Sequence, residues 1–383
     1  MSDRITVFDT TLRDGEQTAG VLFTARDKLD IAERLASMRV DVIEAGFPAA
    51  SPTELRAVHA VARQVRTASI CALARCVPRD VDAAAEAVAG AARPRIHVFV
   101  NASEVQLAHQ LHRDHDDVLE LAGGMVARAH RAVGDVEFSP MDATRADRPF
   151  LAQLVRAALA SGAKTINIPD TVGYALPQHV ADLFTYLRGA VPELEGAVLS
   201  FHGQNDLGMA SANAMAAVSA GARQVELCVN GIGERAGNTS FEEVVMAIAV
   251  HGPTLGVHTD VDTTGIYPLS RLVQERSGIP VTANKAIVGR NAFRHASGIH
   301  QDGVLKHRLN FECIDPAQIG HPTGTEIVLG KLSGTAGFAS KARELGFDLR
   351  GGQLKRAFTA FQTLADKQRD ITDDEVRAIC AKA

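Results

Sequence analysis

The chain has 383 residues, 46% of them hydrophobic and 22% charged, with a net charge of −5 at neutral pH. That is an ordinary globular composition, and with no basic tract it offers nothing to nucleic acid. No apolar run approaches the about 18 residues of a membrane helix, and MSDRITVFDTT lacks the charged lead and long apolar core of a secretory signal. A cytoplasmic protein is expected. Five cysteines (Cys71, Cys76, Cys228, Cys313, Cys380), odd in number and without a CxxC pair, read as free thiols of a reducing compartment.

The predicted strands, in chain order, are 5–9, 40–46, 68–74, 95–100, 135–139, 164–170, 197–202 and 223–229, and each leads into an amphipathic stretch. Thr24-Ala25-Arg26-Asp27 reads as a capping box, and Ser51 before Pro52 as an N-cap with proline at the first helical position. Eight such units predict an α/β fold, a (β/α)₈ TIM barrel over 1–260. The alternative, a doubly wound open sheet, lacks support because no GxGxxG follows the first strand. Residues 251–265 (HGPTLGVHTDVDTTG) are turn-rich and read as a linker. The span 283–308 carries polar clusters too dense for a simple helix, and 354–380 is amphipathic. A linker and a mainly helical C-terminal subdomain are therefore expected over 261–383.

Catalytic groups of such barrels sit at the C-terminal ends of the strands. That edge collects Arg13-Asp14-Gly15-Glu16-Gln17, Glu44, His97, Ser139, Asp170-Thr171, His202, Gln204 and NGIGERAGN (230–238). In a strand, residues two apart share a face, so His202 and Gln204 point together. A carboxylate, an imidazole and an amide oxygen are competent ligands for Mg²⁺, Mn²⁺ or Zn²⁺. The glycines of GIGERAGN serve turns or a close approach to ligand. The histidine-rich HQLHRDHDD (109–117) falls away from the strand ends and reads as solvated surface.

Together FDTTLRDGEQ, VDVIEAGFP, NIPDTVGYALP, HGQNDLG, VNGIGERAGN, ANKAIVG and SGIHQDGVLKHR resemble the DRE-TIM metallolyases, in the 2-isopropylmalate synthase and homocitrate synthase family. The resemblance runs through nearly the whole chain, to DITDDEVRAI, without the regulatory domain that typical leucine-pathway members carry, so leucine feedback at such a domain is not expected. It implies a pyruvate carboxyltransferase-like barrel that condenses an acyl-CoA, usually acetyl-CoA, with a 2-oxo acid. A methyl proton is lost, the enolate attacks the ketone, and the thioester is hydrolysed. Asp14, His202 and Gln204 match the metal positions, with Asn238 close by; Arg13 and Thr171 match the oxyanion-stabilising places; His300 matches an acid–base group. Gln17, Glu44, His97 and Ser139 are expected to bind substrate, with His97 alternatively a satisfied barrel histidine and Glu44 a structural partner of Arg13. A homodimer is implied.

Two departures stand out. Gln204 replaces the second histidine usual in bacterial members, which favours Mg²⁺ or Mn²⁺ over Zn²⁺. Met141, in EFSPMDATR, stands where the family usually has glutamate, and a thioether cannot move protons. It either only fills space or alters substrate choice or catalysis. Glu137-Phe138-Ser139 resembles the isopropylmalate enzymes, so a small or branched apolar 2-oxo acid is expected. The alternatives are homocitrate synthesis, a specialised paralogue with an unusual 2-oxo acid, retro-Claisen cleavage of the HMG-CoA lyase kind, and a non-catalytic barrel.

Overall fold

The computed structural model describes residues 2–368 and 371–383. Eight parallel strands close into a barrel in chain order: β1 (Thr6–Asp9), β2 (Val42–Gly46), β3 (Ser69–Arg75), β4 (Pro94–Asn101), β5 (Val136–Met141), β6 (Thr165–Asp170), β7 (Val198–Gly203) and β8 (Gln224–Leu227). Closure comes from β1, where Phe8 lies opposite Val42 of β2 and Thr6 opposite Gln224 of β8. The open-sheet alternative is excluded.

Each strand feeds a helix: α1 (Ala25–Ser37), α2 (Pro52–Gln64), α3 (Pro78–Val88), α4 (His115–Val133), α5 (Arg148–Ala160), α6 (Pro177–Ala190), α7 (Ala210–Ser219) and α8 (Phe241–Leu255). The expected starts are present. Thr24 and Asp27 form a reciprocal capping box on α1, and Ser51 accepts from the Glu54 amide at the start of α2. Such caps contribute about 1 kcal/mol each.

Strand alternation divides the buried residues into two sets. Ile96, Val98, Val136 and Phe138 are fully buried apolar residues, while His97, Glu137, Ser139 and His202 hydrogen-bond among the polar groups of the barrel interior. An interior so polar is unusual for a barrel core, which large aliphatic residues normally fill. It marks the barrel mouth as the place to look for chemistry.

The expected linker at 251–265 is instead built into the barrel unit. Helix α8 continues through Gly252-Pro253 because Val244, Val245 and Ile248 keep one face buried, and Gly256 ends it in the left-handed region (φ 67°). Val257–His258 then pairs with Asp3–Arg4, and α9 (Ile266–Ser277) is tied on by Ser270, whose hydroxyl donates to Asn230 Oδ1 at 2.5 Å. The first compact unit runs through Val281, past the boundary at 260 read from the sequence.

The second unit, 282–383, holds a two-stranded ladder, Arg294–His295 with Glu326–Ile327. Its helices are α10 (Gly298–Lys306), α11 (Thr335–Glu344), α12 (Gly351–Ala365) and α13 (Asp373–Ala381). Phe338, Ala357, Phe361 and Val376 form its core. The amphipathic tail is thus two helices, the second begun by a Thr372–Glu375 capping box. All five cysteines are unpaired, four buried and Cys313 exposed. Among the described residues no helix is long and apolar enough to cross a membrane.

Candidate active site

After β1 the chain turns back sharply. The Thr10 carbonyl accepts from the Arg13, Asp14 and Gly15 amides, and this turn buries the Asp14 carboxylate. Strand β7 ends at Gly203, and Gln204 continues it by one bridge to Asn238. As i,i+2 geometry requires, His202 and Gln204 face the same way, their Nε2 atoms 3.3 Å apart. Asp14 Oδ2 lies 3.4 Å from His202 Nε2 and 3.3 Å from Gln204 Nε2. Residues 190 positions apart in the chain meet at one point.

This trio suits a divalent cation. His202 Nδ1 is held by Glu226 Oε2 at 2.9 Å, which leaves Nε2 turned toward Asp14. Gln204 Oε1 is buried without a hydrogen-bond partner among the described residues. Amide oxygen and nitrogen are nearly isosteric, and exchanging them brings a third lone-pair donor to the oxygen of Asp14 and the nitrogen of His202. A cation would give that oxygen the partner it lacks. Burial lowers the His202 pKa, but the bond to Glu226 and the charges of Glu226 and Asp14 shift it upward overall. Asn238 is a weaker fit: its Nδ2 donates to the Ile232 carbonyl at 3.0 Å and to Cys228 Sγ at 3.4 Å, although its Oδ1 is also without a partner among the described residues.

Beside the trio runs a chain of buried polar groups. Arg13 Nε donates to Glu44 Oε2 at 2.5 Å and its Nη1 lies 3.3 Å from Asp14 Oδ2. The other Glu44 oxygen is 2.8 Å from His97 Nδ1, and His97 Nε2 is 2.7 Å from Ser139 Oγ, which also accepts from Asn167. Burial alone would raise the Glu44 pKa, yet the charges of Arg13 and His97 bring it down to about 2. Burial likewise opposes charge on His97, and Glu44 reverses this, lifting it to about 9. This shift favours the imidazolium, which donates from both nitrogens and leaves Ser139 its own O–H for another acceptor.

These groups open onto a cavity of about 230 Å³. Arg13, Asp14, Gln17, His97, Ser139, Thr171, His202 and Gln204 line it, together with Leu73, Phe99, Met141 and Pro169. The Thr171 hydroxyl accepts from the Asp142 amide at 2.8 Å, so its own proton is free to donate elsewhere, and its carbonyl is held by Arg235 Nη2 at 2.8 Å. Asp142 adopts a left-handed conformation (φ 65°) and its side chain turns away to Arg145 and Ser103. It does not replace a carboxylate at 141. Glu44, expected to bind substrate, is fully buried behind Arg13 and His97 and does not line the cavity. Asn238 does not line it either. His300 belongs to the second unit, where it is exposed and stacks on Phe311 with ring centroids 4.1 Å apart.

The described residues contain a second convergence, in which His97, Glu137 and Glu226 bring ligand atoms within 4.8 Å of one another. Both His97 nitrogens are already engaged, and Glu137 accepts from Arg95 Nη1 at 3.1 Å and Gln224 Nε2 at 2.7 Å. Burial, outweighing His97, lifts Glu137 to about 7. This cluster is a hydrogen-bonded floor under the site.

Residues 4–273 match the HMGL-like family model, and 287–369 match the homocitrate synthase post-HMGL domain-like model. The chain is 50% identical to a 2-isopropylmalate synthase of Synechocystis, over 98% of this chain and 73% of that one. It is 50% identical to a 2-isopropylmalate synthase of Heliobacterium modesticaldum, with the same coverage. The chain belongs to the 2-isopropylmalate synthase family. A solved HMG-CoA lyase of Pseudomonas aeruginosa has a TM-score of 0.60 at 23% identity, covering 74% of this chain and 95% of that one, which shows the shared fold.

Within this family member, sequence reasoning misses Glu226, Asn167, Arg235 and the apolar wall of Leu73, Phe99 and Pro169. A signal for Glu226 was present: on β8 it alternates with Val225 and Leu227, and a metal-facing histidine needs a carboxylate on its other nitrogen.

Proposed function

We propose that this protein condenses an acyl-CoA, acetyl-CoA by family, with an uncharged apolar 2-oxo acid, releasing CoA and a 2-alkylmalate-type acid. The observation that carries the reading is the meeting of Asp14, His202 and Gln204 within 3.4 Å, with Arg13 alongside, in a cavity also lined by Leu73, Phe99, Met141 and Pro169. Asp14, His202 and Gln204 would hold a divalent cation, Mg²⁺ or Mn²⁺ in preference to Zn²⁺; when bound, it would chelate and polarise the 2-oxo acid.

The chain's own groups account for the remaining demands. Arg13, fixed by Glu44, keeps a permanent positive charge at the mouth, where negative charge develops on the attacked ketone oxygen. Thr171 offers its free hydroxyl proton to the same region. Ser139, released from donating to His97, can hold a carboxylate oxygen of the 2-oxo acid. Leu73, Phe99, Met141 and Pro169 exclude water from its side chain. His300 is assigned the acid–base step by family position, in a cytoplasmic homodimer.

A homocitrate-type substrate would need a cation for its distal carboxylate. The cavity's two arginines are committed, Arg13 to Glu44 and Asp14, Arg235 to Asp206. This favours the apolar acid. The test is thiol release from acetyl-CoA against a panel of 2-oxo acids with Mg²⁺ or Mn²⁺. Turnover is expected with branched or straight apolar acids and not with 2-oxoglutarate. Thiol release with no 2-oxo acid, or only with 2-oxoglutarate, would reject the reading.

A further inference from the structure

Lys28 lies on the first turns of α1 and is fully buried. Its ammonium is 2.7 Å from Glu16 Oε2, 2.6 Å from Glu54 Oε1 and 3.3 Å from the Ala45 carbonyl. Three N–H donors thus meet three acceptors. The acceptors are tied in turn: Glu16 Oε1 accepts from the Phe23 amide at 3.0 Å, and Glu54 Oε1 from the Phe47 amide at 3.1 Å. Gly46 makes room, since a Cβ there would sit 1.9 Å from Glu54 Oε1.

The connection matters for what these backbones carry. Glu16 is two residues after Asp14 and precedes Gln17; Ala45 follows Glu44, the anchor of Arg13. One buried ammonium therefore joins the loop that presents Asp14, Arg13 and Gln17 to the strand end that presents Glu44. We propose that Lys28 is a positioning residue for the reaction, holding the β1 loop so that Asp14 stays at ligand distance from His202 and Gln204. It acts through Glu16 and Ala45 and does not line the cavity. Misplacement of a catalytic group by about 1 Å can cost on the order of a hundredfold in rate, so a distant staple has leverage on turnover.

The alternative is that Lys28 only offsets two partly buried carboxylates, and removing it would then destabilise the fold without a specific effect on the site. Three full-length variants separate the two: Lys28→Met, Glu16→Gln, and the triple Lys28→Met/Glu16→Gln/Glu54→Gln. Each is read by melting temperature, by Mn²⁺ affinity in calorimetry without substrate, and by thiol release. We expect Lys28→Met to melt lower and to lose about tenfold or more in both Mn²⁺ affinity and kcat. The triple variant should regain melting temperature but neither of the other two. Parental Mn²⁺ affinity and kcat in the triple variant would overturn the proposal, as would parental values in Lys28→Met. If Lys28→Met does not fold, Glu16→Gln decides: a loss of about threefold or more in Mn²⁺ affinity supports the proposal, and a parental value overturns it. The inference rests on Asp14 as a metal ligand. A parent that binds no Mn²⁺ while Lys28→Met still lowers kcat would place the failure in the ligand reading and leave the positioning role standing.

Discussion

Glu226 holds His202 by Nδ1 at 2.9 Å, and that bond decides which nitrogen faces Asp14. A carboxylate behind a ligating imidazole fixes its tautomer and strengthens it as a donor. Glu226→Leu should weaken Mn²⁺ binding by about tenfold to a hundredfold with the barrel still folded, measured by calorimetry with far-ultraviolet circular dichroism as control. Equal affinity in parent and variant would show that His202 needs no support.

If Gln204 is a ligand as proposed, it should bias the choice of metal. Gln204→His places an imidazole beside Asp14 and His202 and should raise Zn²⁺ affinity relative to Mg²⁺ and Mn²⁺. Gln204→Ala should cost about tenfold to a hundredfold in affinity for any of them. Titration of the three ions into parent and both variants checks both statements; an unchanged Gln204→Ala would remove this side chain from the ligand set.

Met141 lines the cavity at the end of β5. Met141→Glu introduces a charge into the apolar wall and should change kcat or the 2-oxo acid preference by about tenfold or more, equivalent to about 1.4 kcal/mol in the barrier. Its melting temperature should move little, because the position is only partly buried. Identical kinetics across the acid panel would make Met141 packing alone.

The His97–Glu44 pair makes stability depend on pH at both ends. Glu44, lowered to about 2 from 4.5, contributes stability that is present above pH 4.5 and is lost as pH falls through about 2. His97, raised to about 9 from 6.5, contributes stability that is complete below pH 6.5 and is lost as pH rises through about 9. Asp9 and Glu137, both raised to about 7 by burial, also lose stability with rising pH, so the parent curve alone does not isolate the histidine. The difference between parent and His97→Gln in urea unfolding does. It should be largest near pH 6 and shrink toward pH 10, and a constant difference would contradict the assignment.

His300 should act in turnover and not in metal binding. His300→Gln is expected to lower kcat by about a hundredfold or more with parental Mn²⁺ affinity. If each site draws on two chains, mixing Asp14→Ala with His300→Gln protein should recover part of the activity that each lacks. No recovery in a mixture shown to exchange subunits would confine each site to one chain.

The barrel was legible because its signal is local and repeated: eight strands such as RIHVFV, each followed by an amphipathic stretch, some of them with a capped start such as Thr24 with Asp27. The pairing of His202 with Gln204 was legible for the same reason, since i,i+2 spacing needs nothing beyond a strand. Asp14 could be joined to them only through the shared C-terminal edge of the barrel and the resemblance, because no local rule links residues 190 apart. Lys28 misleads. At the start of an amphipathic helix a lysine reads as solvated face, and only partners distant in sequence, Glu16, Ala45 and Glu54, surround it. Glu44 had two readings, a substrate contact and a structural partner of Arg13, and the second is the one found, since Arg13 and His97 consume both of its oxygens. The turn-rich 251–265 carries Gly252-Pro253, a breaker signal overruled by the apolar face packed beneath it.

The two sides of the mouth are built on different strands. Asp14 follows β1, His202 and Gln204 close β7, and Glu226 lies on β8, whereas Leu73, Phe99, Met141 and Pro169 come from β3, β4, β5 and β6. A change in the second group reshapes the space around the acceptor's side chain and leaves every donor to the cation in place. If Asp14, His202 and Gln204 hold the ion as proposed, substitutions in the second group can alter the choice of acceptor without removing a ligand. The separation concerns the donors to the cation alone, since Ser139 lies on β5 with Met141 and Thr171 directly follows Pro169 and the end of β6.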